Sequence, residues 1–183
     1  MVHLGTKYIE TERLILRKFT PDDVNAVYNN WASDERVTKY LTWPRHHDIT
    51  MSEAIINQWV SSYENNDFYQ WALVLKGTTE PIGTISVVNV DSSSNTVEIG
   101  YCIGFKWWNK GYTSEAFKAI IPYLFNDVMV DRIESKHNTQ NPRSGKVMLK
   151  CGLKFEGIQE KQMLCNQGLA DVSTYGILKQ DFV

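Results

Sequence analysis

Apolar residues that recur every three or four positions predict four main helices. The first follows Thr20, the expected N-cap, and has Pro21 at its first helical position. A shorter helical segment is expected within 34–40. The second main helix is expected to begin with a capping box formed by Thr50 and Glu53. The buried stripes of these two helices are formed by Val24, Val27, Tyr28 and Trp31 and by Ile56, Trp59, Val60 and Tyr63.

Two further helices are predicted in the second half of the chain. The segment 111–126 places Phe117, Ile120, Ile121 and Leu124 at helical spacing. The last helix is expected to begin after Asn141, with Pro142 at its first position and Gly152 just beyond its end. This order follows the general preference for proline at helix starts and glycine at helix ends.

Runs rich in β-branched and aromatic residues, separated by short polar turns, predict seven strands. They span 9–19, 69–76, 82–90, 96–105, 132–137, 153–160 and 171–178. The second, third and fourth of these form an expected antiparallel meander. The element order β-α-α-β-β-β-α-β-α-β-β predicts a mixed α/β fold, and the 183 residues are expected to form a single domain, 1–183.

Composition narrows the classes of partner. The formal net charge of −2 argues against a basic nucleic-acid surface, so no nucleic-acid partner is expected. No run approaches the roughly 20 apolar residues that span a bilayer, and the first ten residues lack the apolar stretch of a signal peptide. We therefore expect no membrane partner and a cytoplasmic protein.

Cysteine and histidine spacing indicates neither disulfides nor a structural metal. Cys102, Cys151 and Cys165 are an odd set without a CxxC spacing, and are expected to be reduced thiols. The histidines lack the i, i+4 spacing that brings two imidazoles onto one helical face around a metal. We expect no metal site, and we expect Cys102 to be a small core residue rather than a covalent nucleophile.

The segment 98–116 carries the clearest indication of chemistry. An apolar strand leads into an aromatic loop containing Lys110 and then into a helix with Glu115 in its first turns. Unpaired N–H groups and the positive end of the helix dipole make such a helix start suitable for an anion such as pyrophosphate. The alternative is an ordinary strand-to-helix turn, because neither GxxxxGK[ST] nor GxGxxG is present.

The residues W-N-K-G-Y-T-S-E-A at 108–116 resemble the acyl-CoA signature of the GNAT superfamily of N-acetyltransferases, particularly its RimJ/RimL-like branch, where W-G-K-G-Y-A-T-E-A is frequent. The resemblance covers nearly the whole chain. It extends, in the same order, to ETERLILRKFTPDD, IGYCIG, NPRSGKVMLKCGLKFEG and DVSTYGIL.

This resemblance implies an acyl-CoA N-acyltransferase fold, with a mixed but mostly antiparallel central sheet of about seven strands flanked by about four helices. It implies acetyl-CoA as cosubstrate and no metal cofactor. The acceptor would be a primary amine, either a protein N-terminal α-amino group or a small molecule, that attacks the thioester directly in a ternary complex. Family habit and the C-terminal edge strands also suggest a homodimer.

The resemblance assigns the cofactor-binding positions. Backbone groups of Tyr101 and Ile103 would pair with pantetheine. The side chain of Asn141 would reach the pantetheine arm, or would act as a helix N-cap, or both. The pyrophosphate would bind the N–H groups of Trp108, Asn109, Lys110, Gly111, Tyr112, Thr113 and Ser114.

Two of these positions depart from the family pattern. Asn109 replaces the usual glycine, although asparagine tolerates positive φ. Thr113 is β-branched where glycine or alanine is usual, although Thr113 and Ser114 also supply hydroxyl donors.

Two residues are candidates for proton transfer. Strand alternation places Glu98 on one face with Gly100 and Cys102, where a carboxylate could deprotonate the amine, although it could equally be a solvated surface group. Ser144 matches the N-x-x-S spacing of a proposed acid in RimL-like enzymes, although a hydroxyl near a helix start can merely satisfy a backbone group.

Two interpretations at the level of the whole chain stay open. The first is an N-acetyltransferase, and the alternative is a non-catalytic acyl-CoA-binding regulatory module in which Asn109 and Thr113 have altered the phosphate loop. His46 and His47 lie in a loop that borders the acceptor pocket in the family, but could equally be exposed. Acceptor specificity is expected to depend on this loop and on the last hairpin.

Overall fold

A twisted sheet of eight strands forms the centre of the protein, seen in a computed structural model that describes residues 1–182. The strands are β1 (Ile9–Glu10), β2 (Leu14–Arg17), β3 (Gln70–Leu75), β4 (Pro81–Asp91), β5 (Thr96–Ile103), β6 (Arg132–Asn138), β7 (Lys154–Cys165) and β8 (Gly168–Leu178). Their order across the sheet is β1-β2-β3-β4-β5-β6-β8-β7. Neighbours are antiparallel except β5 and β6, which are parallel. The mixed, mostly antiparallel sheet is therefore confirmed.

Five α-helices cover the two faces of the sheet. They are α1 (Val24–Val27), α2 (Glu35–Thr38), α3 (Ile49–Ser62), α4 (Tyr112–Pro122) and α5 (Pro142–Lys150). A 3₁₀ turn over Pro21–Asp23 precedes α1, and π-helical turns extend α1 through Tyr28–Ala32 and α4 through Tyr123–Asp127.

Alternate residues of the sheet belong to two hydrophobic cores. Trp71 and Leu73 of β3 face a larger core in which Phe117 and Ile120 of α4 are fully buried. Ala72 and Val74 face the other core, which contains Trp31 and Ile56 from the helices before β3. The period-two alternation of β3 thus divides the helices between the two faces of the sheet.

Local turn chemistry changes two of the predicted boundaries. The expected strand 9–19 is a tight hairpin, because Thr11 exchanges hydrogen bonds with Leu14 and turns the chain between β1 and β2. This hairpin raises the strand count to eight. The predicted capping box of Thr50 and Glu53 is wrong, because Asp48 is the N-cap of α3 and its carboxylate accepts from Thr50 N at 2.9 Å.

The start of α5 also differs from a simple cap. Asn141 occupies the N-cap position and Pro142 the first helical position, as predicted. The Asn141 side chain, however, makes no capping hydrogen bond to the helix backbone. Its amide is turned toward a neighbouring side chain instead, which leaves the capping interpretation of this residue wrong.

Candidate active site

Strands β5 and β6 pair at their first residues and then separate. The parallel ladder joins Thr96, Val97 and Glu98 to Arg132, Ile133 and Glu134, and goes no further. At the opening, Ser135 Oγ donates to the carbonyl oxygen of Ile99 at 2.7 Å. The remainder of β5 therefore presents one edge to an open gap.

The hydrogen-bond phase of β5 decides which backbone groups face this gap. Gly104 N donates to the Ile82 carbonyl at 2.9 Å, so the even-numbered residues of β5 pair with β4. The N–H and C=O groups of Tyr101 and Ile103 consequently point toward the gap. The Ile103 carbonyl already accepts from Trp108 Nε1 at 2.8 Å, which leaves its N–H and both Tyr101 groups for a ligand.

The loop after β5 turns twice through the left-handed region before α4 begins. Asn109 has φ of 60° and Gly111 has φ of 81°, so Asn109 adopts the conformation for which its tolerance of positive φ was noted. Gly111 is the N-cap of α4 and has no side chain with which to cap it. The first N–H groups of α4 are thus available to an anion.

Arg13 connects this loop to the sheet. Its guanidinium donates to Glu115 Oε2 and to the carbonyl of Lys110, at 2.7 and 3.1 Å, and lies 4.5 Å from the centre of the Tyr112 ring. Thr11 Oγ1 donates to the second oxygen of Glu115 at 2.6 Å. These contacts lower the pKa of Glu115 against the opposing effect of its partial burial. The charge of Glu115 is therefore balanced by Arg13 beside the start of α4.

A groove of about 600 Å³ runs along the gap, the loop and α5. It is lined by every predicted cofactor-binding residue except Lys110, which is exposed and whose carbonyl accepts from Arg13. Sequence reasoning missed three basic residues of α5 that line the same groove: Arg143, Lys146 and Lys150. Their i, i+3, i+7 spacing on one helical face was the available signal.

A second cavity, of about 490 Å³, lies on the other side of β5. Most of its walls come from β3 to β6, from α1 and α3, and from the segment between these helices. The groove and the cavity share part of their lining, so they meet near the middle of β5. Six residues line both: Tyr40, Leu41, Tyr101, Cys102, Asn141 and Ser144.

At this junction the Ser144 hydroxyl accepts a hydrogen bond from Asn141 Nδ2 at 3.0 Å. The Ser144 carbonyl accepts from the Tyr101 hydroxyl at 2.8 Å. Burial raises the pKa of Tyr101 far above its ordinary value, so this phenol stays protonated at neutral pH. The structure thus brings together three residues that the sequence singled out separately: Tyr101, Asn141 and Ser144.

Glu98 lines the cavity but not the groove. Its Oε2 accepts from Lys136 Nζ at 2.8 Å, and the same ammonium donates to Glu134 at 2.9 Å. Partial burial lowers the pKa of Lys136, but the two carboxylates outweigh it and raise that pKa overall. Glu98 is therefore half of an ion pair rather than a solvated surface group.

Cys102 is half-buried at the junction rather than enclosed in the core. Burial raises the pKa of its thiol to about 12, so the thiolate is scarce at neutral pH. Its position beside both cavities therefore comes without nucleophilic activation.

The tip of the β7–β8 hairpin holds one wall of the cavity. Asn166 Nδ2 donates to the carbonyls of Thr38 and Trp43, each at 2.8 Å, and Asn166 N donates to the Leu41 carbonyl at 3.1 Å. The last hairpin thus contacts at Trp43 the loop that was expected, together with this hairpin, to affect acceptor specificity. Asn166 itself was not singled out from the sequence.

Within residues 1–182 there is no group of three or more histidine, cysteine or acidic side chains that could hold a metal ion. Over the same residues, none of the helices has the length and apolar character needed to cross a membrane.

An amide-lined groove that opens into a second cavity is the arrangement of a transferase that brings a thioester cofactor to an acceptor. This chain belongs to the GNAT family: residues 13–154 match the family described as acetyltransferase (GNAT) domain. It is an acetyl-CoA-dependent N-acetyltransferase, and proteins of this fold have been solved with acetyl-CoA or coenzyme A.

Individual relatives agree with this assignment. The uncharacterized N-acetyltransferase YoaA of Bacillus subtilis is 30% identical over 171 residues, which covers 93% of this chain and 96% of the relative. A GNAT acetyltransferase structure from Bacillus anthracis has a TM-score of 0.83 at 29% identity and covers 95% of this chain and 99% of that one. The Escherichia coli enzyme that acetylates an alanine of ribosomal protein uS5 is 34% identical over 86 residues, 46% of this chain and 44% of its own. The RimJ/RimL-like resemblance is thereby confirmed.

Proposed function

We propose that a primary amine in the 490 Å³ cavity directly attacks the thioester of acetyl-CoA bound in the groove, within a ternary complex. The observation that carries this proposal is that the two spaces meet at Tyr101, Cys102 and Ser144. The raised pKa of Cys102 supports direct transfer over an acyl-enzyme, because a thiol of pKa about 12 is a poor nucleophile at neutral pH.

The groove gives each part of acetyl-CoA a chemically matched partner. Pantetheine amides would pair with the free backbone groups of Tyr101 and Ile103, as an added strand pairs with a sheet edge. The pyrophosphate would bind the N–H groups at the start of α4, with Arg143, Lys146 and Lys150 supplying positive charge along α5. Asn109 and Thr113 both line the groove and are compatible with this placement.

In the proposed mechanism, Glu98 acts before the attack of the amine and Ser144 acts when the thiolate leaves. Glu98 accepts the proton of the substrate ammonium through water, which frees the nitrogen lone pair to attack the thioester carbon. As the carbon–nitrogen bond forms and the carbon–sulfur bond breaks, the Ser144 hydroxyl donates a proton to the departing sulfur and recovers one from the attacking nitrogen through water. The products are an amide and the free thiol of coenzyme A.

Asn141 supports the role of Ser144. Because its Nδ2 donates to Ser144 Oγ, the hydroxyl proton of Ser144 is directed away from Asn141 and is free to donate. The Tyr101 N–H, which faces the gap, would stabilise the oxyanion of the tetrahedral intermediate, and the Tyr101 carbonyl and the Ile103 N–H would then pair with pantetheine.

Calorimetric titration with acetyl-CoA, desulfo-CoA and NADH tests the cofactor half of this proposal. We expect micromolar binding of both CoA compounds and no binding of NADH. The absence of CoA binding would overturn the proposed cofactor site.

Thiol release in the presence of a panel of peptide and small-molecule amines tests the transfer half. We expect Glu98→Gln and Ser144→Ala to lower kcat by about 10²-fold or more. The matched controls are Glu156→Gln, at the far end of the same series of ion pairs, and Ser61→Ala on the exposed face of α3. Cofactor binding without turnover of any amine would favour the regulatory acyl-CoA-binding module instead.

A further inference from the structure

One ring nitrogen of His46, Nε2, makes no hydrogen bond to the described part of the chain. The residue is 8% exposed and lines the acceptor cavity but not the cofactor groove. Its backbone N donates to the Ala32 carbonyl at 2.9 Å, and its Nδ1 lies 2.7 Å from Ser52 Oγ. Nε2 has no hydrogen-bond partner within residues 1–182, although it is not sealed from solvent. Because His46 lines the cavity, we take the cavity to be the space that Nε2 faces.

The Ser52 hydroxyl determines the tautomer of the ring. Ser52 is completely buried, and in the described part of the chain His46 Nδ1 is the only partner of its Oγ. A buried hydroxyl proton without an acceptor is costly, so Ser52 donates to Nδ1 and the ring proton resides on Nε2. Burial lowers the pKa of His46, and the charge of Asp48 offsets this only in part. His46 thus presents a neutral N–H donor to the cavity.

The surroundings of this donor are aromatic. The Trp43 ring lies 5.6 Å from the His46 ring, centre to centre, and Trp59 and the buried Trp31 line the same cavity. Flat indole surfaces favour a flat apolar group on the ligand. A hydrogen-bond donor between such surfaces favours a ligand that also carries a carbonyl oxygen.

Charge argues against an acceptor with several amines. Among the described residues that line the cavity, Glu98 is the single acid, and its carboxylate is paired with Lys136. A second or third ammonium group would find no free carboxylate there, and burying an unpaired charge is strongly unfavourable. Linear polyamines are therefore poorly matched to this cavity.

We propose that His46 Nε2–H binds a carbonyl oxygen of the acceptor, and that the acceptor is a monoamine carrying an aromatic or similar flat side chain next to that carbonyl. This inference rests on the proposed acetyl transfer, because it places the amine in the cavity. The proposed acceptor is therefore an aromatic α-amino acid amide or a peptide that begins with an aromatic residue. His46 is then a specificity-determining residue that does not take part in proton transfer.

Equilibrium binding of two acetylated products tests the inference without requiring turnover. N-acetylphenylalaninamide and N-acetylphenethylamine differ only by the carboxamide, and each is titrated calorimetrically into the protein with and without saturating coenzyme A. We expect the carboxamide compound to bind about tenfold more tightly, the effect of one good hydrogen bond in a dry site. His46→Leu should abolish this ratio, and His46→Gln, which keeps an N–H donor, should restore part of it.

The outcomes separate this inference from the proposed function. Equal binding of the two compounds to the wild-type protein, or tighter binding of N-acetylspermidine, overturns the inference even if the variants fail to fold. An unchanged ratio in a folded His46→Leu variant also overturns it. If the ratio behaves as expected but phenylalaninamide releases no thiol from acetyl-CoA, the acceptor site stands and the transfer mechanism fails. His47→Leu, at the exposed neighbouring position, is the matched control.

Discussion

The Tyr101 hydroxyl donates a 2.8 Å hydrogen bond to the main-chain carbonyl of Ser144. This bond joins β5 to the first turn of α5 across the gap in which we propose that the cofactor binds. It engages the phenol proton with a backbone oxygen, and burial holds the pKa of the phenol high. We therefore expect Tyr101 to brace Ser144 and not to serve as the acid itself.

Removing this hydroxyl should weaken both the fold and the cofactor site. Tyr101→Phe keeps the ring against Phe117 but loses the bond to α5. We expect the free energy of unfolding in urea to fall by about 1 kcal/mol and the Kd for acetyl-CoA to rise several-fold. Tyr28→Phe removes an exposed hydrogen bond of the same kind and should change neither quantity. Identical behaviour of the two variants would contradict the bracing role.

Loss of Arg13 should weaken the binding of acetyl-CoA, because Arg13 holds the loop between β5 and α4 in place. Arg13→Ala removes the donors to Glu115 and to the Lys110 carbonyl and leaves a carboxylate unpaired beside the pyrophosphate position. We expect the Kd for acetyl-CoA, measured calorimetrically, to rise by roughly three- to tenfold. Lys76→Ala, which removes an ion pair with Glu10 between two exposed residues, is the control. If Arg13→Ala lowered the melting temperature but left the affinity for acetyl-CoA unchanged, the role of Arg13 would be purely structural.

Two glycines with nearly equal positive φ angles allow the effect of backbone strain to be separated from the effect on cofactor binding. Gly111 has φ of 81° at the start of α4, and Gly77 has φ of 84° in the turn after β3. Substituting alanine at either should cost about 1–2 kcal/mol of unfolding free energy, because an L residue is strained there. The Kd for acetyl-CoA should rise only in Gly111→Ala, whose Cβ would also approach Arg13 Nη2 to 3.4 Å. An equal change in affinity for both variants would contradict the placement of the cofactor.

A methyl group on α5 should destabilise the protein although alanine favours helices. In Gly145→Ala the Cβ would lie 2.7 Å from His137 Nε2 and 2.8 Å from the Tyr175 hydroxyl. Overpacking of about 1–3 kcal/mol exceeds the gain of about 1 kcal/mol in helix propensity. We expect a lower urea midpoint, whereas Lys150→Ala on the same helix should leave it nearly unchanged. A more stable Gly145→Ala variant would disprove this close packing.

Because His137 is buried, the free energy of unfolding should fall as the solution becomes mildly acidic. Burial lowers its pKa more than its hydrogen bond to the Asn138 carbonyl raises it. The unfolded chain takes up the proton near pH 6.5, before the folded protein does, so stability should decline as the pH falls from 7.5 to 5.5. His137→Phe should reduce that decline in urea unfolding, and His47→Phe, at an exposed position, should not. Parallel pH profiles for wild type and His137→Phe would count against this account.

Periodicity and the signature segment predicted most of the fold and the cofactor loop. The strand alternation that placed Glu98 and Cys102 on one face and Tyr101 on the other is found in the structure. Asn109 also has the left-handed conformation for which its residue type is suited. These features could be predicted because they depend only on residues that are close together in the sequence.

The errors arose where neighbouring groups compete or where distant parts of the chain meet. Asp48 and Thr50 are both good cap residues, and only the folded geometry shows that Asp48 caps α3. Arg13 and Lys110 are 97 residues apart, and Asn166 lies 128 residues from Thr38. A local sequence pattern contains no information about such contacts, so the roles of Arg13 and Asn166 became visible only in the three-dimensional structure.

The contact of Asn166 with the segment before α3 has a consequence for the order in which the protein matures on the ribosome. The cofactor groove is built from residues up to Lys150, whereas the segment holding Tyr40 and Trp43 is tethered by a hairpin that follows β1–β6 in chain order. A nascent chain that has not yet released β7 and β8 lacks this tether, and it also lacks Tyr175 of β8, against which α5 packs at Gly145. Because Tyr40 and Leu41 line the groove as well as the cavity, both spaces take their finished shape only once the hairpin has joined the sheet.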